Sequence, residues 1–486
     1  MRRIADIKAA SAVLQWDQET YLPSGGAHFR GQQISTLSEL SHQFFSEDEL
    51  GRILNELAGK DDLSPRQKRN IERSLEDYNK NKKYTSSFVR ALSEQVNKTF
   101  HSWIEARKQN SFSVYGEDLH ALVQLKKEET QILGYSKHPY DALLDEFEKG
   151  ATVSLLDKTF ANLLPQLKTL FEKIKSRPQV DDSFLLQHFS QEEQWTWGMQ
   201  IIKDLHFDLA KGRQDKSEHP FSTSFSPQDV RITTRIDEND FGSMTWSCIH
   251  ETGHALYEQG LPVEEYGLPL GEACSYSIHE SQSRLWENNV GRSKAFWQNY
   301  YPSLQQHFPD RFRNVSLDQF YKGINKVQPS LVRTEADEIS YHFHVFIRYE
   351  LEKRLIEGSL STRDIPSFWN EQYKTYLGVD VPDDKKGCLQ DVHWSHGSFG
   401  YFPTYSLGSF YAAQFFAKAE EEITGLGENI GAGNTLPLLE WLRTKVHSNG
   451  RYFTSEELCK NITGTTLEVS HFIDYLLEKY KAIYNL

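Results

Sequence analysis

The 486-residue chain is poor in cysteine and contains no long apolar run. Its four cysteines, Cys248, Cys274, Cys388 and Cys459, are scattered without CxxC spacing, which argues against a disulfide-stapled secreted protein and favours free thiols. No segment approaches the roughly 18 consecutive apolar residues of a membrane span, and charged residues interrupt the apolar part of the N-terminal stretch. We therefore expect a cytoplasmic protein that has no membrane partner.

The chain also lacks an excess of basic residues. It has 54 lysines and arginines against 68 aspartates and glutamates, a formal net charge of −14 and an isoelectric point near 5.7. An acidic surface repels phosphate backbones and anionic lipids. The balance argues against a nucleic acid as the main partner.

Helical periodicity dominates what is present. Ser190 with Glu193, and Thr454 with Glu457, have the spacing of capping boxes ahead of apolar-periodic segments. Residues 467–483 form a terminal amphipathic pattern. These signals predict a mainly α protein.

One segment, Asp229–Ile236, alternates in polarity and contains β-branched residues, which predicts a strand. If this strand lies at a sheet edge, an extended peptide can add to it through main-chain hydrogen bonds. A short, purely structural sheet is the alternative.

The most informative motif is an HExxH formed by His250, Glu251 and His254. Histidines four residues apart on a helix lie on one face and can bind one zinc ion, while the glutamate projects toward the water that the metal activates. Cys248 lies about 200° around the same helix from His250, so we expect it in the core and not at the metal.

The third ligand must come from elsewhere, because Tyr257 and Gly260 stand where a third histidine motif requires Gly and His. A second helical segment, roughly residues 273–289, follows a Gly- and Pro-bearing turn and carries Glu280. An antiparallel return of this helix places the Glu280 carboxylate beside the two imidazoles. Two histidines and one glutamate leave a position open for water, as a catalytic zinc requires. The alternative is that Glu280 is an ordinary solvated helix charge.

Further short motifs occur in a fixed order around the HExxH, and together they resemble the signature of the carboxypeptidase Taq family of zinc metallocarboxypeptidases. The similarity extends over almost the whole chain, and one motif departs from the family pattern, with Val332 where the family has Ile or Asn. The motifs are HPF (His219–Phe221), DxRxT (Asp229–Thr233), HESQ (His279–Gln282), VRTEAD (Val332–Asp337) and GxxQDxHW (Gly387–Trp394).

This resemblance implies a single catalytic domain over residues 1–486, with a large helical body, a deep active-site groove and a small sheet lining it, similar to neurolysin and angiotensin-converting enzyme. It implies a metallopeptidase of the gluzincin type that binds one Zn²⁺ per chain. It also implies that the protein is a homodimer. It also implies removal of single C-terminal residues, with broad specificity, from peptides that have a free C-terminus. Co²⁺ or another divalent ion is an alternative to zinc, because such sites accept several metals.

In this interpretation Glu251 is the general base and acid. Donors for the developing oxyanion come from His393, His396, Tyr401 and Tyr405. We favour Tyr405 over Tyr401, because its spacing from His396 resembles that of the transition-state tyrosine in related gluzincins. The alternative for these aromatic residues is packing in a glycine-hinged loop.

Recognition of a free carboxylate favours an arginine, since the planar guanidinium matches it. Arg348 is the first candidate, because it matches an arginine proposed for this role in the family. Arg333 and Arg231 are substrate-side residues that more naturally brace the site, and His219 lines a subsite or shapes a turn. A structural salt bridge is the alternative for all three arginines.

Two rival functions stay open. A zinc endopeptidase or dipeptidyl carboxypeptidase of the same fold shares the metal chemistry but differs in the groove beyond the cleaved bond. A non-enzymatic helical binding protein with a degenerate site is the second rival, although all four of His250, Glu251, His254 and Glu280 are present.

Overall fold

The computed structural model describes residues 1–486 and is mainly helical, which confirms the predicted fold class. Each helix is too short or too polar to cross a lipid bilayer. The helices are α1 (Arg2–Thr20), α2 (Ala27–Phe45), α3 (Asp48–Ala58), α4 (Pro65–Asn81), α5 (Ser86–Gln109), α6 (Ser113–Leu133), α7 (Pro139–Phe147), α8 (Val153–Lys175), α9 (Gln191–Asp204), α10 (Phe241–Gln259), α11 (Tyr276–Arg284), α12 (Lys294–His307), α13 (Pro309–Phe312), α14 (Leu317–Gly323), α15 (Ser340–Glu357), α16 (Ile365–Tyr376), α17 (Phe402–Glu422), α18 (Leu426–Gly431), α19 (Leu436–Lys445), α20 (Ser455–Thr463) and α21 (Ser470–Tyr484).

The chain forms two compact units, each assembled from segments that are distant in sequence. The first unit contains residues 1–81, 180–325 and 411–467 and includes the HExxH helix and all of the β-structure. The second unit contains residues 82–179, 326–410 and 468–486.

Helix starts follow the predicted caps. The Thr454 side chain accepts from the backbone N–H of Glu457, and the Glu457 carboxylate accepts from the backbone of Thr454, so this capping box is complete. Ser190 also caps its helix through the Glu193 N–H, but the Glu193 carboxylate bonds to the Ser190 hydroxyl and not to its backbone. Local hydrogen bonding of this kind depends only on residues three apart.

The sheet has three strands: β1 (Gly212–Lys216), β2 (Ser222–Ser226) and β3 (Asp229–Thr234). The predicted strand is therefore correct in position, but it is not an edge strand. It lies at the centre, parallel to β1 and antiparallel to β2, in the order β1-β3-β2. Both neighbours lack the strong alternation of apolar residues, so their sequences gave no signal.

The two faces of β3 pack differently. Val230 and Ile232 are fully buried and share a core with Cys248 of α10, so the prediction that this cysteine is a core residue is confirmed. On the opposite face, Arg231 stacks on the Trp16 ring at 4.3 Å and pairs with Asp229.

Helices α10 and α11 approach each other closely at Gly253. A Cβ on Gly253 would lie 2.6 Å from the Cα of Ser283 and 2.7 Å from the carbonyl oxygen of Gln282, which are both backbone atoms. A side chain of any size is excluded, because backbone atoms cannot rotate away. Glycine at position 253 therefore sets the distance between the two helices that carry the predicted metal ligands.

We predict that Gly253→Ala forces α10 and α11 apart, lowers the free energy of unfolding by about 1–3 kcal/mol and weakens metal binding. Thermal unfolding and metal titration measure the two effects. The matched control is Gly427→Ala, because a Cβ on Gly427 in α18 meets no atom within 4 Å. Equal stability and metal affinity in Gly253→Ala and the wild-type protein would contradict the proposed close approach.

Candidate metal centre and active site

The structure brings His250, His254 and Glu280 together. Their possible ligand atoms all lie within 4.8 Å of one another, and the Glu280 Oε2 atom is 3.7 Å from the Nε2 atom of His250 and 3.4 Å from that of His254. Tetrahedral ligands with bonds near 2.1 Å lie about 3.4 Å apart. The three side chains therefore fit a single divalent ion.

Each histidine uses its second ring nitrogen within the protein, which leaves Nε2 for the metal. The Nδ1 atom of His250 lies 2.9 Å from the Glu287 carboxylate. Because a neutral metal-binding imidazole carries its proton on the nitrogen opposite the metal, we assign His250 Nδ1 as the donor to Glu287. A carboxylate in this position fixes the ring orientation and raises the basicity of the ligand.

A histidine and a carboxylate support His254 in the same way. Its Nδ1 atom lies 2.6 Å from Nδ1 of His279, and His279 Nε2 lies 2.8 Å from Glu258. With Nε2 of His254 facing the ion, the Nδ1 proton is donated to His279, which in turn donates from Nε2 to Glu258. The result is a relay from His254 through His279 to Glu258.

Our reading of the sequence did not identify Glu287 or Glu258. Glu287 lies in a seven-residue π-helical segment, Leu285–Gly291, that continues directly from α11. It follows Glu280 by seven residues, which is about two helical turns. The sequence spacing could therefore have predicted that Glu287 lies on the same helix face as the ligand Glu280. Glu258 is four residues past His254 on α10 and was readable by the same rule.

The buried carboxylates at this centre are compensated by arginines. Burial alone raises the pKa of Glu280, but Arg284 and the two imidazoles outweigh it and hold the pKa well below the usual range. Arg284 Nε lies 2.7 Å from Glu280 Oε1 and its Nη1 lies 3.3 Å from Glu287, which Arg292 also contacts. Both carboxylates are therefore ionised, as ligand and supporting acceptor must be.

Glu251 is in a different environment. Its side chain is buried, and this burial raises the pKa of Glu251 to about 7, although the neighbouring His250 opposes the shift. The Ser222 hydroxyl of β2 contacts the Glu251 carboxylate. A carboxyl group of this kind can exchange a proton near neutral pH, which is the requirement for a general base that later acts as an acid.

The remaining predicted residues, apart from His219 and Arg231, belong to the second unit, where Arg348 is fully buried. All of its N–H donors have acceptors within the protein: Nε and Nη2 contact Asp391, Nη2 also contacts Gln390, and Nη1 contacts the carbonyl of His344 and the hydroxyl of Tyr373. A guanidinium has five N–H groups, so none is left for a substrate carboxylate in this arrangement. The geometry favours the structural alternative for Arg348.

Arg333 shares the same aspartate. Its Nε atom lies 3.1 Å from Asp391 Oδ1, and its guanidinium lies 4.8 Å from the centre of the Tyr405 ring. Burial raises the pKa of Asp391, but Arg348 and Arg333 outweigh this and hold it well below the usual range. Two cations around one ionised carboxylate leave a net charge of about +1 in this cluster.

His393, and not His396, contacts Tyr405. The Nε2 atom of His393 lies 3.1 Å from the Tyr405 hydroxyl, whereas His396 is exposed and packs on Phe100. Burial and the charge of Arg333 lower the pKa of His393 to about 3, so its imidazole is neutral. Tyr401 lies beside both, with ring centroids 5.4 Å from His393 and 5.2 Å from Tyr405.

The two other predicted substrate-side residues lie in the first unit. His219 has an exposed side chain just before β2. Arg231 is engaged by Trp16 and Asp229, as described above, which favours the bracing role over direct substrate contact.

Comparison with known proteins identifies the family of the chain. The family profile of carboxypeptidase Taq (M32) metallopeptidases matches residues 1–480. Carboxypeptidase 1 of Bacillus subtilis is 38% identical over 488 residues, covering 100% of this chain and 97% of that protein, and thermostable carboxypeptidase 1 of Thermus thermophilus is 38% identical, covering 99% and 97%. The crystal structure of the M32 carboxypeptidase from Deinococcus radiodurans is 37% identical, with a TM-score of 0.98 over 100% of this chain and 98% of that chain.

We predict that Glu287→Ala weakens metal binding by about 10- to 100-fold, because the His250 ring loses the acceptor that orients it. Competition with a chromophoric chelator measures the affinity. Glu440→Ala, which removes an exposed glutamate of α19, is the control and should bind metal as the wild-type protein does. Unchanged affinity in Glu287→Ala would show that the His250 contact does not support the metal.

Proposed function

The chain belongs to the carboxypeptidase Taq (M32) family and is a metallocarboxypeptidase, a hydrolase of peptides, and on that premise we propose how its residues divide the work. We propose zinc as the metal, one ion per chain, held by His250, His254 and Glu280. The observation that carries this proposal is the convergence of these three side chains at a spacing suited to one ion. When bound there, a zinc ion supplies Lewis-acid chemistry and lowers the pKa of a coordinated water to about 7.

Glu251 is the general base. It is adjacent to a ligand on α10, it is buried, and its raised pKa of about 7 suits proton transfer in both directions. Its carboxylate accepts a proton from the attacking water and returns it to the nitrogen of the leaving amino acid. The Ser222 contact holds the carboxylate during both transfers.

Tyr405 and His393 stabilise the oxyanion that develops on the scissile carbonyl. The neutral His393 ring is close enough to the Tyr405 hydroxyl for a hydrogen bond and so restricts its direction. Preorganised donors of this type contribute strongly to catalysis because they need no rearrangement in the transition state. His396 and Tyr401, which lie between His393 and Tyr405 in the sequence, are further polar residues of the segment that leads into α17.

Removal of single C-terminal residues requires attraction of a free carboxylate. The Arg333, Arg348 and Asp391 cluster retains about one positive charge after internal pairing. In this proposal Arg348 acts through the positive charge and the rigidity of the cluster. His219, whose side chain is exposed, contacts the substrate, and Arg231 braces the site through Asp229 and Trp16. A buried positive charge attracts a carboxylate more strongly than an exposed one.

The chain works as a single catalytic domain and as a homodimer in the cytoplasm. The four free, buried cysteines suit a reducing compartment. Exposed apolar residues on α2, including Phe29 at 66% and Leu40 at 39% exposure, suit a covered surface. Sedimentation equilibrium tests the dimer, and a monomer at micromolar concentration contradicts it.

We predict that Glu251→Gln retains the metal but lowers kcat by about 10²- to 10⁴-fold, because the amide cannot accept the proton. Metal analysis by mass spectrometry and steady-state kinetics on a short peptide measure both quantities. Turnover at the wild-type rate would mean that another group is the base, and zinc missing from the active preparation would refute the choice of metal.

A second prediction separates the carboxypeptidase from an endopeptidase of the same fold. A peptide with a free C-terminus should give a ladder of products shortened one residue at a time, whereas the same peptide with a C-terminal amide should stay intact. Mass spectrometry of the digests distinguishes the products. Cleavage of the amide, or steps of two residues, contradicts single-residue removal.

A further inference from the structure

Glu352 is a fully buried carboxylate that the mechanism above does not use. It lies on α15, one turn after Arg348, and has 0% exposure. Burial raises the pKa of Glu352 to about 7, while its three hydrogen-bond donors and the more distant Lys126 oppose that shift. A buried carboxyl group without an adjacent cation is costly, so its contacts require an explanation.

The three donors to Glu352 have a distinctive distribution. The indole nitrogen of Trp394 donates to Oε1 at 2.7 Å, the backbone N–H of Gly400 donates to Oε2 at 2.7 Å, and the hydroxyl of Tyr140 also donates to Oε2. Two of the three come from residues 394–400, which run from the last residue of the GxxQDxHW motif almost to the start of α17. The single carboxylate therefore joins both ends of residues 394–400.

The Gly400 end of this segment is held from a second side. Gly400 has a φ of 102°, and a Cβ there would lie 2.5 Å from the carbonyl oxygen of Leu143 in α7. Only glycine fits a left-handed conformation that is in contact with another backbone. The segment that we expected to be a glycine hinge is thus tied to α15 by a hydrogen bond and to α7 by packing.

The residues proposed to stabilise the oxyanion flank this segment. His393 immediately precedes Trp394, and its ring packs 4.5 Å from the ring of Phe402, the first residue of α17. Tyr405 lies one turn into α17 and contacts His393 at 3.1 Å. A shift of either end of the segment therefore changes the geometry between His393 and Tyr405.

We propose that Glu352 is a positioning residue of the peptidase reaction, whose carboxylate ties Trp394 to Gly400 and thereby holds His393 and Tyr405 in register. The proposal rests on the proposed role of Tyr405. It also explains why an acid is present at position 352. Indole and backbone N–H groups only donate, so one side chain must accept from both, and a carboxylate is the side chain with two acceptor atoms.

The test is Glu352→Gln, which preserves size and shape. Whichever way the amide is turned, its NH₂ group faces either the Trp394 indole or the Gly400 N–H, and two donors cannot bond to each other. We expect kcat to fall by about 10- to 100-fold, as misplacement of catalytic groups by an ångström does, with KM and metal content unchanged. Unchanged kcat overturns the proposal.

The matched control is Tyr140→Phe. It removes the third donor to the same carboxylate. Tyr140 belongs to α7, and this helix contains none of the proposed catalytic residues. We expect lower thermal stability with kcat within about twofold of wild type. If Tyr140→Phe lowers kcat as much as Glu352→Gln, the role of Glu352 is general stability, and the proposal is overturned.

A double-mutant cycle with Tyr405→Phe separates positioning from stability. If Glu352 acts through Tyr405, adding Glu352→Gln to Tyr405→Phe should lower kcat by less than about threefold. If the kcat losses of the two single variants multiply in the double variant, the two residues act independently, and the proposal is overturned. Tyr405→Phe at the wild-type rate contradicts the proposed function itself, whereas a slow Tyr405→Phe beside a fully active Glu352→Gln contradicts the positioning role alone.

Trp394→Phe provides the same test if Glu352→Gln does not fold. This variant leaves the carboxylate and its Tyr140 and Gly400 contacts in place, and it removes the indole donor together with part of a buried ring that packs on Trp369 and Phe402. We expect a smaller loss of kcat, about 3- to 10-fold, that disappears in the Tyr405→Phe background. A folded Trp394→Phe enzyme with wild-type kcat overturns the proposal.

Discussion

The metal centre depends on the close approach of α10 and α11 at Gly253. The missing side chain lets the two helix backbones come close enough for a carboxylate on α11 to reach two imidazoles on α10. A larger residue would keep the motif letters intact while moving the third ligand away. The site is therefore a consequence of helix packing as much as of ligand chemistry.

In both units, buried carboxylates are paired with arginines. At the metal centre, Arg284 compensates two carboxylates that orient or supply ligands. In the second unit the roles are reversed, because one carboxylate, Asp391, is shared by two arginines. At the metal centre Arg292 also contacts Glu287, so two arginines balance the two carboxylates, whereas the cluster around Asp391 keeps a net positive charge that suits an anion.

Features of this chain were predictable from its sequence where the interacting residues lie close together along the chain. The Thr454 cap and the HExxH helix were predictable because their partners are three or four residues away. The position of β3 was predictable from its alternation, but its central place was not, since its neighbours are recognised only by pairing. The internal pairing of Arg348 was not predictable for the same reason, because its acceptors Asp391 and Gln390 are about forty residues away and sequence spacing gives no sign of them.

The sequence by itself determined the chemistry: two histidines and a glutamate on one helical turn, a second helix with an acidic residue, and a set of ordered motifs whose family is a metallocarboxypeptidase family. Tertiary structure alone decided which side chains orient that chemistry. Glu287 and His279 contact the ligand histidines only in the folded chain, and these contacts replace the hydration that the separate side chains would keep. Such contacts are set by the packing of backbones that are distant in sequence. A helical period can place Glu287 on the face of Glu280, but it does not pair Glu287 with His250, which lies 37 residues away.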